Sequence, residues 1–274
     1  MLSYLTERLA HAILVILNLL APLEVRVQKD LAYAAGGQHQ ADVYRPASNS
    51  PRPIVVFLYG GGWREGTKDA FAYVGAALAR QGFVTVIPEY RHFPTASLPD
   101  ILGDNAAALA WTIANAAALG GDPRRVVIAG HSSGAWAAAM LGLDPVWLEH
   151  VGSSPAALAG IIGLSGPYAV SALTEPADVK VFAGSDPGLQ PVAHAAGRHP
   201  AMMLLAGSAD LDVRPAATVA LADRLRAAGN DPDLHIYPGL GHAQTAWSIS
   251  FPFSLQAPVA DDIKRFVDKV QAGR

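Results

Sequence analysis

The chain opens on a hydrophobic block unlike anything that follows it. Residues 2–21 read LSYLTERLAHAILVILNLLA, with Ser3, Glu7, His11 and Asn18 at steps of four, four and seven. That spacing aligns them as one narrow polar stripe on a helix whose remaining surface is apolar. After Pro22 the pattern becomes alternating. EVRVQKDLAY (24–33) and HQADVYRP (39–46), joined through Gly36-Gly37, predict the two strands of a hairpin. PIVVFLY (53–59) is a continuous apolar run rich in β-branched residues, the sign of a strand buried on both faces. KDAFAYVGAALARQG (68–82) then carries helical spacing through Phe71, Val74 and Leu78 and stops at Gly82.

The same alternation continues to the end of the chain. FVTVIPEYR, RRVVIAG, LAGIIGLSG, AMMLLAG and DLHIYPG read as strands. Between and after them, LPDILGDNAAALAWTIANAAALGG, SGAWAAAMLGL, PAATVALADRLRAAG and ADDIKRFVDKVQ read as helices. Strands alternating with helices predict an α/β fold with a mostly parallel central sheet flanked by helices. No break is long enough to separate domains. The expected division is an N-terminal hydrophobic helix over 1–22 and one α/β domain over 23–274, with a small cap-like insertion between Ser165 and Pro200.

Composition agrees with a packed domain and narrows the chemistry. Hydrophobic residues make up 51% of the chain and charged ones 16%, which leaves ample material for a core. A net charge of −3 gives no reason to expect a nucleic-acid partner. There is no cysteine, which excludes disulfides, thiolate metal sites and a cysteine nucleophile.

The N-terminal block has three readings. Its apolar run after Arg8 is shorter than the ~20 residues that span a bilayer. Glu7 sits beside Arg8, and no small-x-small site precedes Pro22, so an uncleaved helix is favoured over a signal peptide. Such a helix lies in a membrane interface, packs on its own domain or joins a second subunit. The expected location is therefore membrane-associated or cytoplasmic.

The chemistry concentrates at four places. GHSSG (130–134) stands between a predicted strand and a predicted helix, the context in which G-x-S-x-G marks a nucleophile. The serine must occupy a sharp turn, so small residues are needed two positions away on either side. Gly130 and Gly134 meet that need and put Ser132 at the tip; Ser133 is the rival serine, one position off the pattern. The hydroxyl needs a base, and histidine is suited to neutral pH. His242, in YPGLGHAQ after the last predicted strand, lies at the same sheet edge as Ser132. His131 flanks the nucleophile and His235 lies within a strand, while the other six histidines read as structural, as surface residues or as part of the insertion.

A carboxylate must orient the imidazole. GSADLDV (207–213) offers Asp210 and Asp212; Asp210, closer to the strand end, is preferred, with Asp212 the alternative. YGGGW (59–63) directly follows a buried strand. Glycine lets backbone N–H groups approach a developing oxyanion. The expected donors are Gly61, Gly62 and Ser133.

Taken together, ADVYRP, YGGGW, PEYR, GGDPRRVVIAGHSSGA, GSADLDV and GLGH resemble the α/β-hydrolase carboxylesterases of the hormone-sensitive-lipase-like kind. The stretch from EYRHFPTASLPDILGDNA into the GHSSGA segment is most similar to feruloyl esterases, arylformamidases and prenylcysteine methylesterases. The resemblance runs from about Gln40 to the C-terminus. It implies hydrolysis of short- to medium-chain esters by a Ser-His-Asp acyl-enzyme route, without cofactor or metal. Alternatives on the same scaffold are an arylformamidase-like amidase or peptidase, and a membrane-associated lipase or methylesterase for lipophilic esters. The implied partner is a small-molecule ester, with membrane contact or a homo-oligomer as the use of residues 2–21. The sequence departs from the family in two places: Tyr59 stands where a histidine is usual, and Ser133 where an alanine is. Tyr59 either props the glycine loop or lines the acyl site.

Overall fold

The computed structural model describes residues 2–21, 24–48 and 50–272, with side chains in the first helix described from Leu9 onward. Eight strands form one sheet: β1 (Val25–Ala32), β2 (Gln40–Pro46), β3 (Arg52–Leu58), β4 (Val84–Pro88), β5 (Gly121–His131), β6 (Leu158–Leu164), β7 (Ala201–Gly207) and β8 (Asp233–Tyr237). Their order across the sheet is β1-β2-β4-β3-β5-β6-β7-β8. The β1–β2 and β2–β4 pairs are antiparallel, and every later pair is parallel. This is the mostly parallel sheet expected from the alternating pattern, and its central strands are those with unbroken apolar runs. Ile54 to Leu58 of β3 and every residue of β6 are buried.

Register decides where the site lies. Leu58 pairs with Gly130, His131 with Leu164, Leu164 with Leu205, and Gly207 with Tyr237. The C-terminal ends of five strands therefore stand side by side, and the loops after them share one edge. In open α/β sheets that edge is where ligands bind.

Helices cover the sheet: α1 (Leu2–Leu19), α2 (Ala72–Arg80), α3 (Leu98–Ala114), α4 (Ser133–Leu143), α5 (Val146–Glu149), α6 (Pro176–Val181), α7 (Ala216–Ala227), α8 (His242–Trp247) and α9 (Val259–Ala272). α3 starts sharply because Ser97 and Asp100 form a reciprocal capping box. Two elements depart from the sequence expectation. The helix expected from Lys68 begins as a 3₁₀ turn over Lys68–Phe71, capped by the Thr67 hydroxyl, and only then becomes α2. The insertion after β6, read as loose, contains α6.

The first helix packs on its own domain through its C-terminal half. Leu17 is fully buried. The Asn18 amide donates to the Asp69 and Ala70 carbonyls at 3.1 and 3.2 Å and accepts from the Tyr73 N–H at 2.8 Å. The last of these bonds satisfies one of the orphan donors at the start of α2. Asn18 of the polar stripe thus faces the domain, while Leu9, Val15, Ile16, Leu19 and Leu20 remain exposed. The side chains of Ser3 and Glu7 lie outside the described residues. Among the described residues, no helix is long and apolar enough to cross a membrane.

Candidate active site

β5 enters α4 through a single residue, Ser132, with φ 55° and ψ −124°. A non-glycine residue at positive φ is strained by roughly 1–3 kcal/mol and persists only where its surroundings enforce it. Here the surroundings are glycines. A Cβ at Gly130 would collide with the main chain of Gly134, and one at Gly134 with the carbonyls of Leu58 and Tyr59. The small residues flanking the serine are thus required by backbone approach on both sides.

His242, placed by the sequence after the last strand, is the first residue of α8. Its Nε2 lies 2.8 Å from Ser132 Oγ, and its Nδ1 lies 2.9 Å from Asp210 Oδ2. Because Nδ1 faces a carboxylate, it carries the proton, which leaves Nε2 to accept from the serine hydroxyl. Asp210 follows β7, and its side chain is fully buried. Its other oxygen accepts the N–H groups of Asp212 at 3.1 Å and Val213 at 2.9 Å. Burial alone would raise the Asp210 carboxyl. The bond and charge of His242, the Val213 amide and the Ser165 hydroxyl outweigh it and hold the group below the usual carboxylate range. Between the two aspartates of the sequence, the structure brings Asp210 to the imidazole; Asp212 offers Asp210 its backbone.

The glycine loop lies against this chain of bonds. A Cβ on Gly60 would stand 2.8 Å from both His131 O and Ser132 Cβ. The bare backbone at that position lets the loop reach the serine. Gly62 has φ 59°, the left-handed region open to glycine. No main-chain hydrogen bond to a described residue engages the Gly61, Gly62 or Ser133 amides.

Tyr59 is fully buried beneath this loop. Its ring stacks on Tyr90 at 4.4 Å and on Phe71 at 5.7 Å. Its hydroxyl donates to Glu89 Oε1, while Glu89 Oε2 accepts the Lys68 N–H at 3.0 Å. Tyr90 in turn donates to the Tyr59 carbonyl at 2.7 Å. Burial, reinforced by the neighbouring Tyr90 and Glu89, pushes the Tyr59 phenol far up, so it stays a donor. Of the two roles open in the sequence, these contacts fit a prop. Tyr59→Phe is expected to cost about 1–2 kcal/mol in chemical denaturation, because Glu89 loses a buried donor. A denaturation midpoint equal to that of the parent protein would remove this role.

Several neighbours had no clear sequence signal. Arg64, just past the glycines, pairs with Asp178 of α6 at 2.8 Å. Trp63 meets Phe182 edge-on at 4.9 Å and Trp136 at 5.6 Å. The insertion is thereby tied to the glycine loop from above. His131, next to the serine, places its ring 4.9 Å from that of His242 and its Nε2 3.1 Å from the His242 carbonyl. Burial and the neighbouring His242 push His131 down to about 3, so it is a neutral ring. Its adjacency to Ser132 was visible in the sequence; its contact with His242 required the fold. Among the described residues, no group of three or more histidine, aspartate or glutamate side chains is arranged to hold a metal.

A mostly parallel eight-stranded sheet with a strained serine, a histidine and a buried aspartate at its C-terminal edge defines an α/β-hydrolase. The BD-FAE family model matches residues 41–225, and the chain belongs to that family. A probable isoprenylcysteine alpha-carbonyl methylesterase of Arabidopsis thaliana is 28% identical over 79% of this chain and 57% of its own length. The chain thus spans little more than half of that relative. Esterase LipC of Mycobacterium tuberculosis is 33% identical over 46% of this chain and 33% of its own. Among solved structures, a truncated carbohydrate esterase from gut microbiota superposes with a TM-score of 0.79 at 20% identity, covering 92% of this chain and 99% of the other. Esterase B from Lactobacillus rhamnosis gives 0.80 at 20% identity over 92% and 88%. These superpositions show the shared fold.

Proposed function

We propose that the protein is a serine carboxylesterase acting on short- to medium-chain esters. The observation that carries this reading is the hydrogen-bonded chain from Ser132 through His242 to Asp210, at 2.8 and 2.9 Å, beside a loop of three glycines. In this reading Ser132 attacks the ester carbonyl while His242 takes its proton, and Asp210 stabilises the imidazolium. The amides of Gly61, Gly62 and Ser133 hold the oxyanion, each worth roughly 3 kcal/mol of barrier. His242 then protonates the leaving alcohol, and water releases the acyl group by the reverse sequence. The methylesterase and esterase names of the relatives support ester hydrolysis. Residues 23–274 form the catalytic unit in this proposal, and 1–22 an added helix.

The exposed apolar face of α1, through Leu9, Val15, Ile16, Leu19 and Leu20, favours a second reading: a membrane-associated enzyme for lipophilic esters. One experiment separates the two. A p-nitrophenyl ester series from acetate to palmitate, free and presented on phospholipid vesicles, is expected to give the highest kcat/KM at acetate to hexanoate without vesicles. A maximum at the long-chain esters that appears only with vesicles supports the second reading instead. No hydrolysis of any member overturns both.

A further inference from the structure

The insertion after β6 reaches both sides of the candidate site. Its first part meets the acid loop: the Arg214 N–H donates to the Ala172 carbonyl at 3.2 Å, and the Thr174 hydroxyl donates to the Leu211 carbonyl at 2.7 Å. Its second part, α6, meets the glycine loop, where Asp178 lies directly against Gly62. A Cβ on Gly62 would collide with Asp178 Oδ1 and stand 3.2 Å from Arg64 Nη2. Arg64 Nη2 and Nε both donate to that same carboxylate oxygen, at 2.8 and 3.3 Å. Arg64 belongs to the turn that carries the glycines, since its N–H and that of Glu65 both donate to the Gly61 carbonyl at 3.1 Å. The triad chemistry uses neither Arg64 nor Asp178.

This placement sets up a conflict of charge. The proposed oxyanion forms on the amides of Gly61 and Gly62, and a carboxylate touching Gly62 opposes it. The opposition falls on the transition state, which is negative there, and not on the neutral ester. The Asp178 side chain is 20% exposed, so water screens its charge only in part. The Arg64 guanidinium, seated on the oxygen that faces Gly62, cancels that charge. Among the described residues, the ion pairs of Arg64 and of Asp178 are with each other alone. The pair also ties α6 to the glycine loop. Its loss therefore has a mechanical consequence and an electrostatic one, and substitution separates the two.

We infer that Arg64 is a positioning residue of the oxyanion loop, which neutralises the Asp178 carboxylate that the insertion lays against Gly62. The inference rests on the serine-esterase reading of the site. It orders the variants in a way that a simple tether does not. Arg64→Gln strips the cation and leaves the carboxylate bare beside Gly62. Asp178→Asn keeps the shape, and an acceptor for Arg64, without the negative charge. The double variant lacks the ion pair as well, yet holds no charge that opposes the oxyanion.

The test is kcat and KM for p-nitrophenyl butyrate in these variants, with thermal melting as a control for folding. Arg64→Gln is expected to lower kcat by about tenfold with KM unchanged, the effect of one unpaired charge discounted for its exposed side. Asp178→Asn alone is expected to stay within about threefold of the parent protein. Adding Asp178→Asn to Arg64→Gln is expected to bring kcat back to that range. Arg64→Lys, which keeps the charge without the planar fork, is expected to hold it there. A double variant as slow as Arg64→Gln, an Arg64→Gln as fast as the parent, or losses confined to KM or to melting temperature overturn the inference and leave the serine reading intact. Turnover that survives Ser132→Ala overturns the serine reading, and this inference with it.

Discussion

Ser132→Ala is expected to abolish turnover of p-nitrophenyl butyrate, with a fall in kcat of about 10⁶. The magnitude follows from what the residue does. Among the described residues, the hydroxyl bonded to the His242 Nε2 is that of Ser132, 2.8 Å away, and in the proposed mechanism it is the nucleophile. Without it the pathway through an acyl-enzyme closes, and only oxyanion stabilisation and substrate binding remain, worth roughly 10³–10⁴ over water. The fold is expected to survive. Alanine keeps the Cβ that the turn already accommodates, and the lost hydroxyl sits at the edge of the site, not in the core. A melting temperature close to that of the parent protein, alongside lost turnover, is therefore the expected pair of results. Turnover within tenfold of the parent would assign the chemistry elsewhere. Labelling by an organophosphonate gives an independent readout: one equivalent is expected to add to the parent protein and none to the variant.

Asp210→Asn is expected to lower kcat by about 10⁴ while leaving the protein folded. In the proposed mechanism the carboxylate does three jobs at once. Its Oδ2 fixes the imidazole with the proton on Nδ1, its charge stabilises the imidazolium, and its Oδ1 ties down the loop by accepting the Asp212 and Val213 amides. Asparagine keeps the third job with its carbonyl oxygen. It then turns an NH₂ toward Nδ1, which favours the tautomer with the proton on Nε2, so the ring can no longer accept from Ser132. The loss is thus one of protonation state, not of structure, and should persist at every pH from 6 to 9. Asp212→Asn is the control. Its backbone N–H carries the contact to Asp210, so its kcat is expected to stay within about twofold of the parent. Equal losses in the two variants would return the choice of acid to where the sequence left it.

How much of this was legible in the sequence varies with the range of the interaction. The strands and helices were readable because hydrophobic period is local: β3, β5 and β6 announce themselves as apolar runs, and α3 as a long helical segment. The serine turn was readable as a short pattern, since Gly130 answers a clash with Gly134 inside the turn, whereas Gly134 makes room for the carbonyls of Leu58 and Tyr59 on another segment. Asp210 and Asp212 were separable only by position, because both follow the same strand. The insertion after β6 hid α6, whose six residues rest on contacts to Arg64 and Trp63 on another loop. Asn18 read as one more polar position on a helix, and nothing nearby in sequence revealed that its amide would meet the start of α2.

The sequence alone determined the class of fold, the serine at a strained turn, the glycine loop and the histidine at the chain's far end. Each of these is carried by a short segment, as a local motif or as the periodicity of burial. Tertiary structure decided the rest. It placed Asp210, and not Asp212, against the imidazole, made Tyr59 a buried strut held between Phe71, Tyr90 and Glu89, and turned Asn18 toward the domain. It also brought Thr245 and His131 to the His242 carbonyl, and Ser165 to Thr245. These pairings join residues far apart along the chain, such as Ser165 and Thr245, 80 positions apart. The register of five parallel strands puts their loops on one edge, so a bond between such residues exists only once the sheet has formed.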